Sequence, residues 1–343
     1  MNKIRINMLS SADKVAGQGV GSAYLELIKL LKKKGKDTFD IQINKNIKDS
    51  DIIHCHTVDL GNYFKMKKAK VPTIAYVHFL PDTLDGSIKL PKFAFNIFKK
   101  YVIKFYKTAD HLVVVNPIFI NDLVKAGLDK DKITYIPNFV SKDEFYKKDD
   151  IDKRKIRKKF KLNDKDFIVL GAGQVQTRKG VLDFVEVAKK LPDITFVWAG
   201  GFSFGGITDG YDELKKVMDN PPKNVKFLGI IPREKMNDLF NAADLLFVPS
   251  YNELFPMTIL EACSTNTPLL LRDLELYEDI LFKKYIKGSN NNEFIEAITK
   301  YKEDKKLYKE QVENSKYISN YYSEDNIYKI WKKYYEGLLK END

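Results

Sequence analysis

Cysteine is nearly absent: Cys55 and Cys263 are the only two in 343 residues, far apart and outside any CxxC or His/Cys cluster. A disulfide framework and a structural zinc site are therefore both excluded as organising devices. Histidine is almost as scarce, with four residues, His54, His56, His78 and His111, and none sits in an H-E-x-x-H spacing that would hold a catalytic zinc. No run of about 18 apolar residues occurs, so no membrane-spanning segment is predicted. Met1–Ser11 is too short and too polar for a secretory signal, which predicts a cytoplasmic protein, with attachment to a surface still open. Short repeats and low-complexity tracts are also missing.

Apolar residues make up 44% of the chain, with 22 Phe and 19 Tyr, enough for packed cores. The length predicts two domains. The formal net charge is +11, and residues 1–107 carry all of it, with 20 Lys+Arg against 9 Asp+Glu. An excess confined to one part of a chain points to an anionic partner, nucleic acid or acidic lipid. A merely lysine-rich solvated surface is the plainer alternative.

Short apolar strands alternate with helical stretches along most of the chain. Strands are predicted at Ile4–Leu9, Asp51–His56, Thr73–His78, His111–Val115, Phe167–Gly171, Thr195–Ala199 and Leu245–Pro249. Helices are predicted after Gly21, where Ala23, Leu27, Leu30 and Leu31 share one face, and at Val181–Leu191 and Glu234–Ala243. This is the βαβ pattern of parallel sheets covered on both faces. The charged stretch 142–166 interrupts it and reads as a junction between two doubly wound units. Ligands of open α/β sheets bind beyond the carboxyl ends of the strands, so the expected site is a cleft between the units.

Five segments can carry chemistry. Glu253–Glu261 follows a strand and enters a helix across Pro256. The N–H groups of Met257 and Thr258 at the helix start suit a diphosphate, with one carboxylate before the helix and one inside it. The bland reading is two surface glutamates flanking a core helix. Gly171–Gly180 joins a strand to a helix and places Arg178 and Lys179 where a leaving nucleoside diphosphate develops charge; a basic helix cap is the alternative. The Gly17–Gly21 loop lacks the full G-x-G-x-x-G spacing and argues against a dinucleotide cofactor. His78 ends a strand of the first unit and reads as a binding or polarising group, whereas His54 and His111 read as structural. Lys89–Lys107 holds six lysines, several Phe and Tyr and no acid. That composition suits a helix lying at an anionic membrane surface, or an ordinary core helix with a basic face.

Together these residues resemble the family-4 retaining glycosyltransferases of the GT-B fold over nearly the whole chain. Ser10–Tyr24, Gly86–Pro117 and Gly171–Glu261 are most similar to bacterial enzymes that add a second hexose to monoglucosyldiacylglycerol. The resemblance implies two Rossmann-like α/β domains facing a central cleft: residues 1–145, facing acceptor and membrane, and residues 146–320, binding the donor. It also implies a C-terminal helix, about 321–343, that crosses back to the first domain. Carried over residue by residue, Glu253 and His78 act at the transferred sugar, and Glu261 binds the ribose. Arg178 and Lys179 hold the diphosphate, with Met257 and Thr258 beside it, and Gly19 lets the backbone approach the donor phosphate. Lys89, Lys92, Phe95, Phe98, Lys99, Lys100 and Lys104 are the implied membrane contacts. Gln174 stands where many members have Arg, so Arg178 takes its place, and Pro256 stands where many have Gly. No D-x-D pair ends a strand, Asp149 and Asp150 reading as solvated linker charges, so no metal is implied.

The implied reaction is retaining transfer of a hexose, glucose favoured, from a UDP-sugar to monoglucosyldiacylglycerol, peripherally on the inner face of the plasma membrane. UDP-glucose or UDP-galactose is the implied donor, with no obligatory cofactor and no nucleic-acid partner. Galactosyl transfer, a first-step glucosylation of diacylglycerol, and a soluble or nucleic-acid acceptor are the alternatives.

Overall fold

A computed structural model describes residues 3–11, 19–81, 91–203, 205–253 and 255–340. The chain divides into two units, one built from the residues up to Phe139 together with the segment from Ser323 onward, the other from Val140–Tyr322.

The first unit is a six-stranded sheet, every pairing parallel. Its strands are β1 (Ile4–Leu9), β2 (Phe39–Ile43), β3 (Ile52–Cys55), β4 (Thr73–Val77), β5 (His111–Val114) and β6 (Ile133–Tyr135), in the order β2-β1-β3-β4-β5-β6. Because β1 leads to β2 on one side and β3 on the other, the winding reverses between β1 and β3. Helix α1 (Gly19–Lys34) buries Ala23, Leu27, Leu30 and Leu31, the face its periodicity predicts. It stops at Gly35, where an added Cβ would lie 2.6 Å from the Leu31 carbonyl oxygen and 2.5 Å from the Phe39 ring. Two further helices are α2 (Leu60–Lys68) and α3 (Lys92–Thr108).

The C-terminal helix, Glu324–Lys340, belongs to this unit, as the resemblance implies. Its apolar residues Ile327, Trp331, Tyr335 and Leu338 are buried. Tyr335 hydrogen-bonds His54 at 2.9 Å, and Lys34 pairs with Asp325 at 2.8 Å. A helix far away in sequence thereby becomes part of the first unit's core.

The second sheet is also all parallel, in the order β12-β11-β10-β7-β8-β9. Its strands are β7 (Ile168–Ala172), β8 (Thr195–Ala199), β9 (Val225–Phe227), β10 (Leu245–Val248), β11 (Leu269–Arg272) and β12 (Ile286–Gly288). The winding reverses between β7 and β10, which places a ligand-binding switch point beyond the carboxyl ends of those two strands. Phe184, Phe196, Trp198 and Phe247 fill the core under β7, with Phe184 edge-on to Trp198 at 5.1 Å. Trp198 also donates from Nε1 to the Gly173 carbonyl at 3.1 Å, tying the core to the loop after β7.

The stretch 142–166, which composition marks as a junction, contains a helix that the periodicity does not announce, while Asp149 and Asp150 are exposed. Asp150–Lys159 is a helix, and Asp149 is its N-cap, accepting from the Asp152 N–H at 2.8 Å. Its buried face holds Ile156 and Arg157. Arg157 donates to Asp244 at 2.6 Å and to the carbonyls of Ala242, Asp164 and Asp166 at 2.8–3.0 Å. A helix that packs through a guanidinium making four hydrogen bonds leaves little apolar periodicity to read.

Candidate active site

The loop leaving β7 closes in a single 3-10 turn, Thr177–Lys179, and enters the helix Val181–Lys190 through Gly180. Gly180 is left-handed, at φ 68°, and an added Cβ would lie 2.3 Å from the Pro249 carbonyl oxygen. That contact joins the loop after β7 to the loop after β10. The Tyr251 N–H extends it, donating to the Arg178 carbonyl at 2.8 Å. Beneath, Arg272 donates to Pro249 O at 2.8 Å and to Asp183 at 2.6 Å, and lies 3.9 Å from the centre of the Tyr251 ring. The Tyr251 hydroxyl donates to the same Asp183 carboxylate at 2.5 Å.

This frame brings Arg178, Lys179 and Glu253 together although the lysine and glutamate are 74 residues apart. Lys179 donates directly to the Glu253 carboxylate, and the Arg178 guanidinium lies 3.9 Å from it. Arg178 also donates to Asn252 O at 3.0 Å and to Gln176 at 3.1 Å, and Gln176 donates to Gln174 at 2.7 Å. The position where Gln replaces an expected Arg thus feeds into the side-chain chain that holds Arg178.

Glu253 is 6% exposed. Burial works to raise its pKa, but Lys179 and Arg178 outweigh it and hold the carboxyl below its ordinary value. Burial pulls Lys179 below its ordinary value against the attraction of Glu253. Two cations against one carboxylate leave a net positive charge at the switch point, the condition an entering diphosphate requires.

The helix after β10 is Met257–Ser264: Pro256 is its N-cap, with φ −68° and ψ 131°, and Met257 its first residue. Met257 is buried and Thr258 half-buried. The cap makes no side-chain hydrogen bond, and the first N–H groups of a helix have no partner within it, so this end favours an anion.

Glu261 lies within the same helix and is buried. Arg233 donates to it at 2.7 Å and to Glu144 at 3.2 Å, over the ring of Phe145. Burial raises the Glu261 pKa, with Arg233 only partly opposing. A raised carboxyl costs stability as pH climbs from the ordinary value of 4.5 through the folded one; a lowered carboxyl such as Glu253 adds stability that is lost only as pH falls below 4.5. Glu261→Gln is therefore expected to gain stability relative to the parent as pH rises from about 4 to 7. Denaturant unfolding across that range checks it, and a flat difference counts against the assignment.

Motif reading passed over Arg233, Arg272, Asp183 and Tyr251. Arg233 carried one signal: it begins the helix Arg233–Ala242, a position where the helix dipole disfavours a cation. The others had none, since their partners are distant in sequence.

In the first unit, His78 follows β4 and His56 follows β3, with His56 Nδ1 and His78 Nε2 3.2 Å apart. Burial pushes the His78 pKa down to about 3 and that of His56 well below its ordinary value, so both rings are neutral at pH 7. His54, beside them, is likewise pushed to about 3 by burial and then by His78. Gly19, Val20 and Gly21 open α1; Gly17 and Gln18 lie outside the described residues.

Of the membrane candidates, Lys89 lies outside the described residues, and Lys92 begins α3. Val102, Phe105 and Tyr106 bury the inner face of that helix. Phe95 and Phe98 are half-buried, Phe98 stacking on Phe79 at 6.5 Å and Phe95 lying under the Lys99 ammonium at 4.7 Å. The apolar side chains most open to solvent are instead Phe93 and Ile97, 70% and 65% exposed, near exposed Lys100 and Lys104.

No helix among the described residues is long and apolar enough to cross a membrane, and none of their His, Cys, Asp and Glu side chains form a group of three or more able to hold a metal ion.

Residues 152–317 match the model of the glycosyl transferases group 1, and residues 18–144 that of glycosyltransferase family 4. The alpha-galactosylglucosyldiacylglycerol synthase of Streptococcus pneumoniae is 51% identical over 97% of this chain and 90% of its own length. The processive diacylglycerol alpha-glucosyltransferase of Acholeplasma laidlawii is 29% identical over 94% of each chain. Among solved structures, Anabaena HepE in complex with UDP and glucose superposes with a TM-score of 0.78 over 97% of this chain and 99% of its own, at 16% identity. Sucrose-phosphate synthase from Thermosynechococcus elongatus reaches 0.80 over 99% and 100%, at 14% identity. Two parallel Rossmann-like units of the GT-B kind and a 51% identical synthase lead to one assignment: the chain is a glycosyltransferase, a member of family 4 with a group 1 C-terminal domain.

Proposed function

We propose that the enzyme transfers a hexose, with retention, from a UDP-sugar to monoglucosyldiacylglycerol at an anionic membrane surface. The cluster of Arg178, Lys179 and Glu253 beside the helix beginning at Met257 carries the donor half of this reading. The cations and helix N–H groups bind the diphosphate, Glu253 takes hydroxyls of the transferred sugar, and Glu261 takes the ribose. His78 acts at the sugar, and Gly19 admits the donor phosphate. The leaving diphosphate helps to deprotonate the acceptor on the face it departs from, with no obligatory metal.

The acceptor half is supported by the 51% identical pneumococcal relative. The sequence alone favours glucose as the transferred sugar; that relative's name, a galactosylglucosyl lipid synthase, weighs toward galactose. The test is incubation with labelled UDP-glucose and UDP-galactose, each with diacylglycerol or monoglucosyldiacylglycerol in anionic micelles. A labelled diglycosyl lipid from UDP-galactose and the monoglucosyl lipid is expected; no lipid product from any combination overturns the reading.

The membrane contact is assigned to α3, with Phe93 and Ile97 entering the acyl boundary and the lysines meeting headgroups. It supports a peripheral protein on the inner leaflet. Lys100→Glu with Lys104→Glu is expected to weaken binding to phosphatidylglycerol vesicles by about tenfold or more, since each basic residue near such a surface contributes about 1 kcal/mol. Sedimentation with vesicles reads the loss, circular dichroism confirms the fold, and undiminished binding removes α3 from the assignment.

A further inference from the structure

Three of the four histidines form one row in the first unit. His54 and His56 are two residues apart on the same side of the chain leaving β3, their ring centres 4.1 Å apart. His78, on the neighbouring strand's exit, continues the row 5.5 Å from His56. Tyr76 closes on both, 5.2 Å from His56 and 4.3 Å from His78, and Tyr24 lies edge-on to His56 at 4.9 Å. The far end is anchored by Tyr335 on His54.

Of the two nitrogens in contact, His56 Nδ1 and His78 Nε2 at 3.2 Å, one carries the proton and the other accepts it. The choice follows from the opposite edge of His56. Its Nε2 is buried and has no hydrogen-bond partner among the described residues. A buried N–H without an acceptor is the rarer and costlier orphan, whereas an unused lone pair is better tolerated. His56 therefore keeps its proton on Nδ1 and donates it to His78 Nε2. A neutral His78 whose Nε2 accepts must carry its own proton on Nδ1.

We infer that His56 is a positioning residue that fixes His78 as the Nδ1–H tautomer, so that His78 offers a hydrogen-bond donor, and not a base, to an oxygen of the bound sugar. The inference rests on the proposed contact between His78 and the transferred sugar. It gives His56 a role that burial alone does not require. It also implies that proton removal from the acceptor is not done by His78 Nδ1.

The test begins with the full chain labelled with nitrogen-15 histidine. With only four histidines, long-range nitrogen–proton correlation at pH 7 resolves each tautomer, and single substitutions assign them. His78 is expected to show a protonated Nδ1 and a bare Nε2; a protonated Nε2 overturns the inference. His56→Asn, whose amide stands in for the Nδ1–H donor, is expected to preserve that pattern and to keep kcat within about threefold of the parent. His56→Leu is expected to mix the His78 tautomers and lower kcat about tenfold to a hundredfold, the scale seen when the partner orienting a metal-bound imidazole is removed, with KM for the acceptor unchanged. An unmixed tautomer in His56→Leu overturns the inference. Full activity in His78→Ala instead sinks the sugar-contact reading beneath it, while the tautomer of the parent still reports on His56.

Discussion

Glu253→Gln is expected to lower kcat by about 10²–10³-fold, the usual loss when one preorganised partner of the reacting centre is removed, while the protein remains folded. The argument starts from burial. The carboxylate is held ionised by Lys179 and Arg178 in spite of its burial. Glutamine keeps the volume and one acceptor oxygen for the Lys179 ammonium, so the frame of the site survives. What it loses is the negative charge that balances two cations and that the proposed function places at the sugar hydroxyls. Glu253→Ala is a poorer probe, because a buried cation stripped of its partner costs about 3–5 kcal/mol of stability. Steady-state rates with a saturating UDP-sugar, beside a thermal melt, separate the two effects. A Glu253→Gln enzyme that turns over within about threefold of the parent removes Glu253 from the sugar site.

Gly200→Ala is expected to cost about 3 kcal/mol or more and to abolish donor binding in whatever fraction still folds. Gly200 has φ 146°, and a Cβ there would sit 1.7 Å from the Gly173 carbonyl oxygen and 2.7 Å from its carbon. Both are backbone atoms, so no side chain can swing aside. Gly173, also at φ 146°, donates to Ala199 O at 2.9 Å, and Val175 donates to Gly201 O at 3.0 Å. The loop that carries Lys179 is therefore stitched to the loop after β8, and pushing one displaces the other. Gly206→Ala is the matched control: an added Cβ there meets nothing within 4 Å, and a change under about 0.5 kcal/mol is expected. Denaturant unfolding of both variants, with UDP titrated against each, is the measurement. Equal stability of the two contradicts the close approach.

Much of the fold was legible because βαβ alternation is a local signal. Ile4–Leu9 and Thr195–Ala199 fall where their apolar runs predict, and α1 buries the predicted face. The helix Asp150–Lys159 was not legible, since Arg157 fills the place of a core residue by bonding to Asp244 and three carbonyls. Of the candidate site, Arg178, Lys179, Glu253 and the helix start near Pro256 were readable from loop chemistry. Arg233 on Glu261, and Arg272 on Asp183, were not, because ion pairs spanning 28 and 89 residues leave no periodic trace. In the first unit His78 was singled out by its strand end, but its contact with His56 was not legible, because it depends on β3 pairing with β4.

By itself the sequence determined that the chain makes parallel α/β units, that a basic, glycine-bearing loop follows one strand and a helix N-terminus another, and that the excess charge belongs to residues 1–107. Hydrophobic period, turn residues and charge are all properties of short segments, so short segments suffice to show them. Only the tertiary structure decided which of these segments meet. Strand β10 pairs with β7 from more than 70 residues away, and that pairing makes a single site of Lys179 and Glu253. The parallel pairing of β3 with β4 brings the end of β3 beside the end of β4, so that the His56 and His78 rings meet, and a helix from the end of the chain supplies Tyr335 to His54.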